Sequence, residues 1–160
     1  MSTPTVNLSL ICTDLAARFA SATIGTPTGL TLGPMRASIP TQPKGVLQTP
    51  FHYLEVDNGQ LVANPGQWNH EIHIDGVLVL GKRPGDPQRV DLDRQIWLPY
   101  LLHATEDALT IGIGAQAGWS VQKVIPSGWE FTEVTVSEFD YDAIRVHWVV
   151  YVLETVRLTP

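Results

Sequence analysis

The chain has one cysteine, Cys12, among 160 residues, which excludes an internal disulfide framework and fits folding in a reducing cytoplasm. It also lacks any apolar run of transmembrane length. Its start, Met1-Ser2-Thr3-Pro4-Thr5, shows no basic stretch followed by an apolar signal core, so it reads as soluble and unexported. Basic residues are few: ten Lys and Arg stand against sixteen Asp and Glu, a net charge of −6. That balance disfavours direct nucleic-acid binding, because phosphate attraction requires a basic face. No Gly-x-Ser-x-Gly elbow occurs, and Cys12 sits in an apolar helical stripe where burial raises a thiol pKa, so nucleophilic catalysis has no candidate. Charged residues are only 16% against 44% hydrophobic, which argues against disorder and points to apolar surface covered by partners.

What is present reads as one domain, since this length buries a core without metal or disulfide staples. From Asn7 to about Ala22, Leu8, Ile11, Cys12, Leu15, Ala16 and Phe19 recur at helical spacing, with Asn7 as N-cap and Gly25 as stop. The segment from Gly25 to Pro50 contains Pro27, Pro34, Pro40, Pro43 and Pro50. It is too punctuated for a core helix and reads as a projecting arm, with a short strand over Met35 to Ile39. Phe51 to Val56 predicts a strand, and Asp57-Asn58-Gly59 a hairpin turn.

After Pro65-Gly66, Trp68, Ile72, Ile74, Leu78 and Leu80 alternate with Asn69, Glu71, His73 and Asp75, which predicts a long half-exposed strand. Gly81 to Pro87 reads as a loop, followed by a helix capped by Asp91 or Asp93. Its inward stripe is Leu98, Leu101, Leu102, Thr105, Ala108 and Leu109, with Pro99 beginning or kinking it. Val121 to Ile125 and Trp129 to Phe139 read as extended. The closing strand, Ala143 to Val156, carries Ile144, Val146, Trp148, Val150 and Val152 on one face and Arg145, His147, Val149, Tyr151 and Leu153 on the other. Both faces therefore need cover. The expected fold is a two-layer α+β domain, a mainly antiparallel sheet packed by two helices, with subunit contact near the C-terminus.

Three patterns invite chemistry. His70-Glu71-Ile72-His73 lacks the four-residue helical spacing of a zinc protease, and residues 70 and 73 of a strand point to opposite sides; with His52 they form the only metal-hydrolase alternative. Glu138, Asp140 and Asp142 alternate but lack a calcium-loop glycine and closing glutamate, so they read as a solvated face. Gly112 to Gly118 resembles a phosphate loop without the strand before it and the helix after it, and reads as a connector. No cofactor or metal is expected.

Tryptophans 68, 97, 119, 129 and 148 serve as core or as contact anchors; Trp119 and Trp129 flank turns and are the contact candidates. Charge is segregated: the arm holds Arg36 and Lys44 and no acid, whereas Phe51 to Leu80 holds four acids and no Lys or Arg. An arm lying on the acidic sheet of a neighbour would use those charges for register. The expected partner-contact residues are Arg36, Lys44, Lys82, Arg83, Trp119 and Trp129.

In this arrangement of helix Leu8 to Leu15, strands around Phe51 to Val56 and Trp68 to Ile74, helix near Pro99 to Leu102 and closing strand Ile144 to Val152, the chain resembles the tail terminator proteins of long-tailed bacteriophages. These are also called tail completion or head–tail joining proteins. The resemblance implies a virion structural protein, not an enzyme: a ring, commonly of six copies, that caps the tail tube and joins it to the head connector. Its implied partners are itself, the tail tube protein and a head-side connector or stopper, with assembly in the host cytoplasm and residence in the virion neck. A head-closure stopper or other neck protein is the nearest alternative, and a free-standing ligand-binding module is a further one. A closed ring needs a heterologous contact between unlike patches.

Overall fold

The computed structural model describes residues 6–21, 37–45, 48–108 and 118–155. The elements are α1 (Leu8–Ser21), β1 (Ala37–Ile39), β2 (Phe51–Asn64), β3 (Gln67–Lys82), α2 (Pro87–Ala108), β4 (Trp119–Val136) and β5 (Phe139–Thr155). The strands form one curled sheet in the order β1-β2-β3-β5-β4. Among the described residues only the β1–β2 pair is parallel, so the sheet is mainly antiparallel and the domain is α+β, as expected.

The first helix starts where the sequence places it: the backbone N–H of Leu10 donates to Asn7 Oδ1 at 3.0 Å, satisfying one of the unpaired first-turn amides. Ile11, Cys12, Leu15, Ala16 and Phe19 are buried, while Leu8 and Leu10 remain exposed. The second helix begins earlier than expected. Asp86 is its cap, accepting from the N–H of Gln88 at 3.1 Å, and Pro87 takes the first position, where a missing N–H costs nothing. Asp91 and Asp93 lie inside the helix and pair with Arg94 and Arg89. Pro99 is internal, and Ile96, Trp97 and Leu101 point inward, with Leu98 and Leu102 packed at the margin. The side chains of Thr105 and Ala108, the whole of Leu109, the stop at Gly25 and residues 112–117 of the glycine-rich segment lie outside the described residues.

The hairpin turn falls at Pro65-Gly66, not at Asp57-Asn58-Gly59. The earlier triplet becomes an irregularity within β2, between Val56 and Gly59, and Gly59 is required there because a Cβ would lie 2.7 Å from the Glu71 carbonyl oxygen. Similarly, Val121 to Ile125 and Trp129 to Val136 belong to one strand, β4, interrupted by register shifts at Val121/Lys123 and Pro126/Gly128. Pro126 is tolerated because β4 is an edge strand. The β4–β5 turn is made by Ser137 (φ 58°) and Glu138 (φ 93°), left-handed conformations of the kind that tight hairpins demand.

The core has two parts. On the helix side, Leu54, Ile72, Ile74, Leu78, Ile144, Val146, Trp148, Val150 and Val152 pack under α1 and α2. On the opposite face the curl of the sheet buries Phe51, Tyr53, Val77, Val79, Val134, Val136, Tyr141 and Ala143, with Ile39 packed against them. The closing strand is thus largely covered within its own chain: its Ile144 row is buried, Val149 is buried, and Tyr151 and Leu153 are half-buried. This corrects the expectation of an uncovered C-terminal surface. Exposed apolar side chains lie mainly elsewhere, on the outer part of β2 and along β4.

Candidate functional site

Among the described residues two sheet margins are left open, and they differ. The first is β2 beyond β1. The three residues of β1 pair with Phe51, His52 and Tyr53 and go no further. Phe51 to Leu54 are buried, whereas every residue from Val56 to Asn64 is exposed, including Val56, Leu61 and Val62. The second is β4, whose only strand partner among the described residues is β5. On it Ile125, Trp129 and Phe131 are exposed, and the Trp129 and Phe131 rings pack together with centroids 5.2 Å apart. Arg94 lies over Phe131 at 5.0 Å.

A cleft of about 600 Å³ opens where β1 stops, lined among others by Leu8, Cys12, Pro40, Leu54, Val56 and Asp57. Its floor is an ion-pair network. Arg145 Nη1 donates to Glu55 at 2.8 Å and to Asp75 at 3.0 Å, and Glu130 lies 3.6 Å from its Nε. Burial alone would lower the Arg145 pKa, but the hydrogen bonds and charges of Glu55 and Asp75 outweigh it and raise it. His147 Nδ1 donates to the other oxygen of Asp75 at 2.6 Å. Beside this network, burial and then the charge of Glu55, offset in part by Arg145, push the Tyr53 pKa up to about 12. The lining is acidic in balance, with Glu55, Asp57 and Asp75 against Arg145.

The histidines singled out in the sequence do not converge. His52 is fully buried against Phe19 and Trp148, with ring centroids at 5.1 and 5.9 Å, and its Nδ1 is bonded to the Ser38 hydroxyl at 3.0 Å. Its Nε2 has no hydrogen-bond partner among the described residues, and burial drives its pKa down to about 3. His70 donates to the buried Glu154 at 2.6 Å and His73 to Glu71 at 3.1 Å. Since His52 sits opposite Leu78, eight positions from His70, about 26 Å of strand separates those two rings' positions. Among the described residues no group of three His, Cys, Asp or Glu could hold a metal ion. The three carboxylates near the β4–β5 turn also part company. Glu138 is in the turn, Asp140 accepts from Thr135 Oγ1 at 2.7 Å, and Asp142 is buried facing Arg94 at 3.5 Å and Arg83 at 3.7 Å, not solvated as expected.

The expected contact residues separate as clearly. Trp119 is buried in the helix-side core, where its ring cannot meet a partner; Trp129 is 50% exposed. Lys82 is exposed with its ammonium 3.4 Å from the centre of the Phe139 ring, and Arg83 pairs with Glu133 and Asp142. Arg36 lies outside the described residues. Lys44 is exposed, but its carbonyl accepts from Ser137 Oγ at 3.3 Å, so this stretch of the expected arm lies on the β4–β5 turn of its own chain.

Sequence reasoning missed Gly76 and the Arg145 network. A Cβ on Gly76 would fall on the Trp148 ring and 2.6 Å from His52 Nε2. A glycine inside an alternating strand is the available signal for such a close approach. An arginine in an otherwise apolar strand likewise signalled a buried partner, but which acids meet it depends on β2–β3–β5 register. No helix among the described residues is long and apolar enough to cross a membrane. Compared with known proteins, the chain matches no family model and no curated protein.

Proposed function

We propose that the chain is a structural subunit of a phage tail terminator ring, acting by surface complementarity and not by bond chemistry. The observation that supports this most is the pair of unlike open margins on opposite ends of one sheet, the outer β2 with its acidic cleft and β4 with its exposed aromatic pair. A head-to-tail contact between two different patches repeats around a ring, whereas one self-complementary patch stops at a dimer. Exposed side chains such as Trp129 are typical anchors of such contacts. In this reading one face of the ring fits the last ring of the tail tube and the other meets the head-side connector or stopper.

Reconstruction of the neck of intact particles tests the proposal. The expected result is one ring of this chain seated directly on the last ring of tube subunits. Density for it at the connector only would favour the stopper role, and its absence from the neck would overturn the assignment to this assembly.

A further inference from the structure

Where β1 stops, the edge of β2 alternates in kind. Leu54 and Val56 face the helix side, opposite Gly76 and the core residue Ile74, while Glu55 faces the other side, opposite Asp75. The cleft keeps that division: Leu8 and Cys12 of α1 join Leu54 and Val56 as its apolar part, and Asp57 and Asp75 join Glu55 as its acidic part. A segment laid along this edge, in either direction, turns successive side chains to the two parts in turn. The cleft therefore fits a triplet that is apolar, basic and apolar. The fold already contains one such match. In β5, Ile144 and Val146 enter the helix-side core while Arg145 between them reaches Glu55 and Asp75. That sets one cation against three acids of the lining and leaves the acidic part able to take a second.

The sequence supplies another triplet of this kind immediately after β5. It is Val156-Arg157-Leu158, which lies outside the described residues. This triplet is too far from the cleft of its own chain. Thr155 pairs with Gln67, eight positions along β3 from Asp75, about 26 Å of strand. Three residues of backbone span at most about 11 Å. The cleft of a neighbouring copy is under no such limit.

We propose that the cleft beside the end of β1 is the seat for Val156-Arg157-Leu158 of a second copy, with Val156 and Leu158 toward Leu8, Leu54 and Val56 and Arg157 toward Glu55 and Asp57. The three contacts are compatible because Leu54, Glu55 and Val56 are consecutive, as are their counterparts. This rests on the ring reading above and supplies a contact for it: segment and cleft are unlike patches, as a head-to-tail ring requires. Main-chain hydrogen bonds to the open edge of β2 give affinity, and the alternating side chains fix register.

The test is heterotypic cross-linking in full-length protein. Val56→Cys and Leu158→Cys are made as separate, differently tagged chains, each carrying Cys12→Ala because Cys12 lines the cleft. The two are mixed as concentrated protein, and again with purified tail tubes, and oxidised. The expected product in at least one mixture is the disulfide-linked dimer of one Val56→Cys chain with one Leu158→Cys chain, in excess over both homotypic dimers combined by at least about tenfold, as an unlike-patch contact requires. A statistical mixture, a homotypic excess or no cross-link in both mixtures overturns the proposal. One chain carrying both cysteines should link copy to copy into a ladder on a non-reducing gel, and a disulfide closed within single chains instead would overturn the seating between copies. A further measurement leaves Cys12 in place and follows assembly by sedimentation in the same two conditions. Arg157→Glu and Asp57→Lys each lower the assembled fraction by about threefold or more, and the double variant recovers it. No recovery overturns the seat. Unselective cross-linking with a ring still visible at the neck would sink this contact alone; selective cross-linking with no neck density would sink the ring role alone.

Discussion

The two halves of β2 are one strand with opposite fates. Phe51 to Leu54 are buried, with β1 pairing Phe51 to Tyr53 on one edge, β3 on the other and core on both faces. Val56 to Asn64 keep the same β3 partner but lose β1 and the helix layer, and all are exposed although they include valine and leucine. Composition alone does not separate the halves. What separates them is where the second layer ends, so the inner half carries stability and the outer half is available for contact.

Substitutions should sharpen that division. Around the inner half the largest loss is expected from Trp148→Ala, which removes a β5 ring packed on His52 and stacked 4.8 Å from Phe19: about 3–5 kcal/mol by chemical denaturation. Acid should act on the same region through His52. Its pKa is lowered from 6.5 to about 3, so between those values the unfolded chain takes up a proton that the folded chain refuses. Stability is therefore full above about pH 6.5 and falls as pH drops toward 3, by roughly 4 kcal/mol over the window. His52→Asn should flatten that slope in urea midpoints measured at neutral and acid pH, and an unchanged slope would assign it to other groups.

Gly76→Ala should cost about 1–3 kcal/mol, because the added carbon meets the Trp148 ring and only side-chain displacement can relieve it. Arg145→Ala, at the border between the halves, should cost about 1–2 kcal/mol, discounted for its partial exposure, by leaving Glu55 and Asp75 without their shared cation. In the outer half, Leu61→Ser should change monomer stability by no more than about 0.5 kcal/mol. A loss comparable to that of Trp148→Ala would erase the distinction between the halves.

Much of the inner half was legible in the chain. Asn7 with the three-and-four spacing of α1, and the alternation of Ile72, Ile74, Leu78 and Leu80, are local patterns that local physics decides. The misplaced turn shows where that reach ends. Asp57-Asn58-Gly59 has the chemistry of a hairpin, but pairing with Ile72 to Ile74 continues past it, and long-range partners outweighed a local preference. The two turn-flanking tryptophans were equivalent in sequence. Trp119 pairs opposite Glu154 beneath the helices, while Trp129 pairs opposite Val146 at the uncovered margin, a difference that exists only after five strands are ordered. The cleft was hidden for the same reason, since α1, the segment after β1, and β2, β3 and β5 all contribute walls.

Pro126, with the irregularities on either side of it, also has a consequence for the chain on its own. A long unpaired margin bearing tryptophan and phenylalanine would ordinarily invite indefinite stacking of like strands, copy upon copy. Here one missing amide and two offsets spoil the template at mid-length. That break makes the β4 margin a poorer template for the β4 margin of another copy.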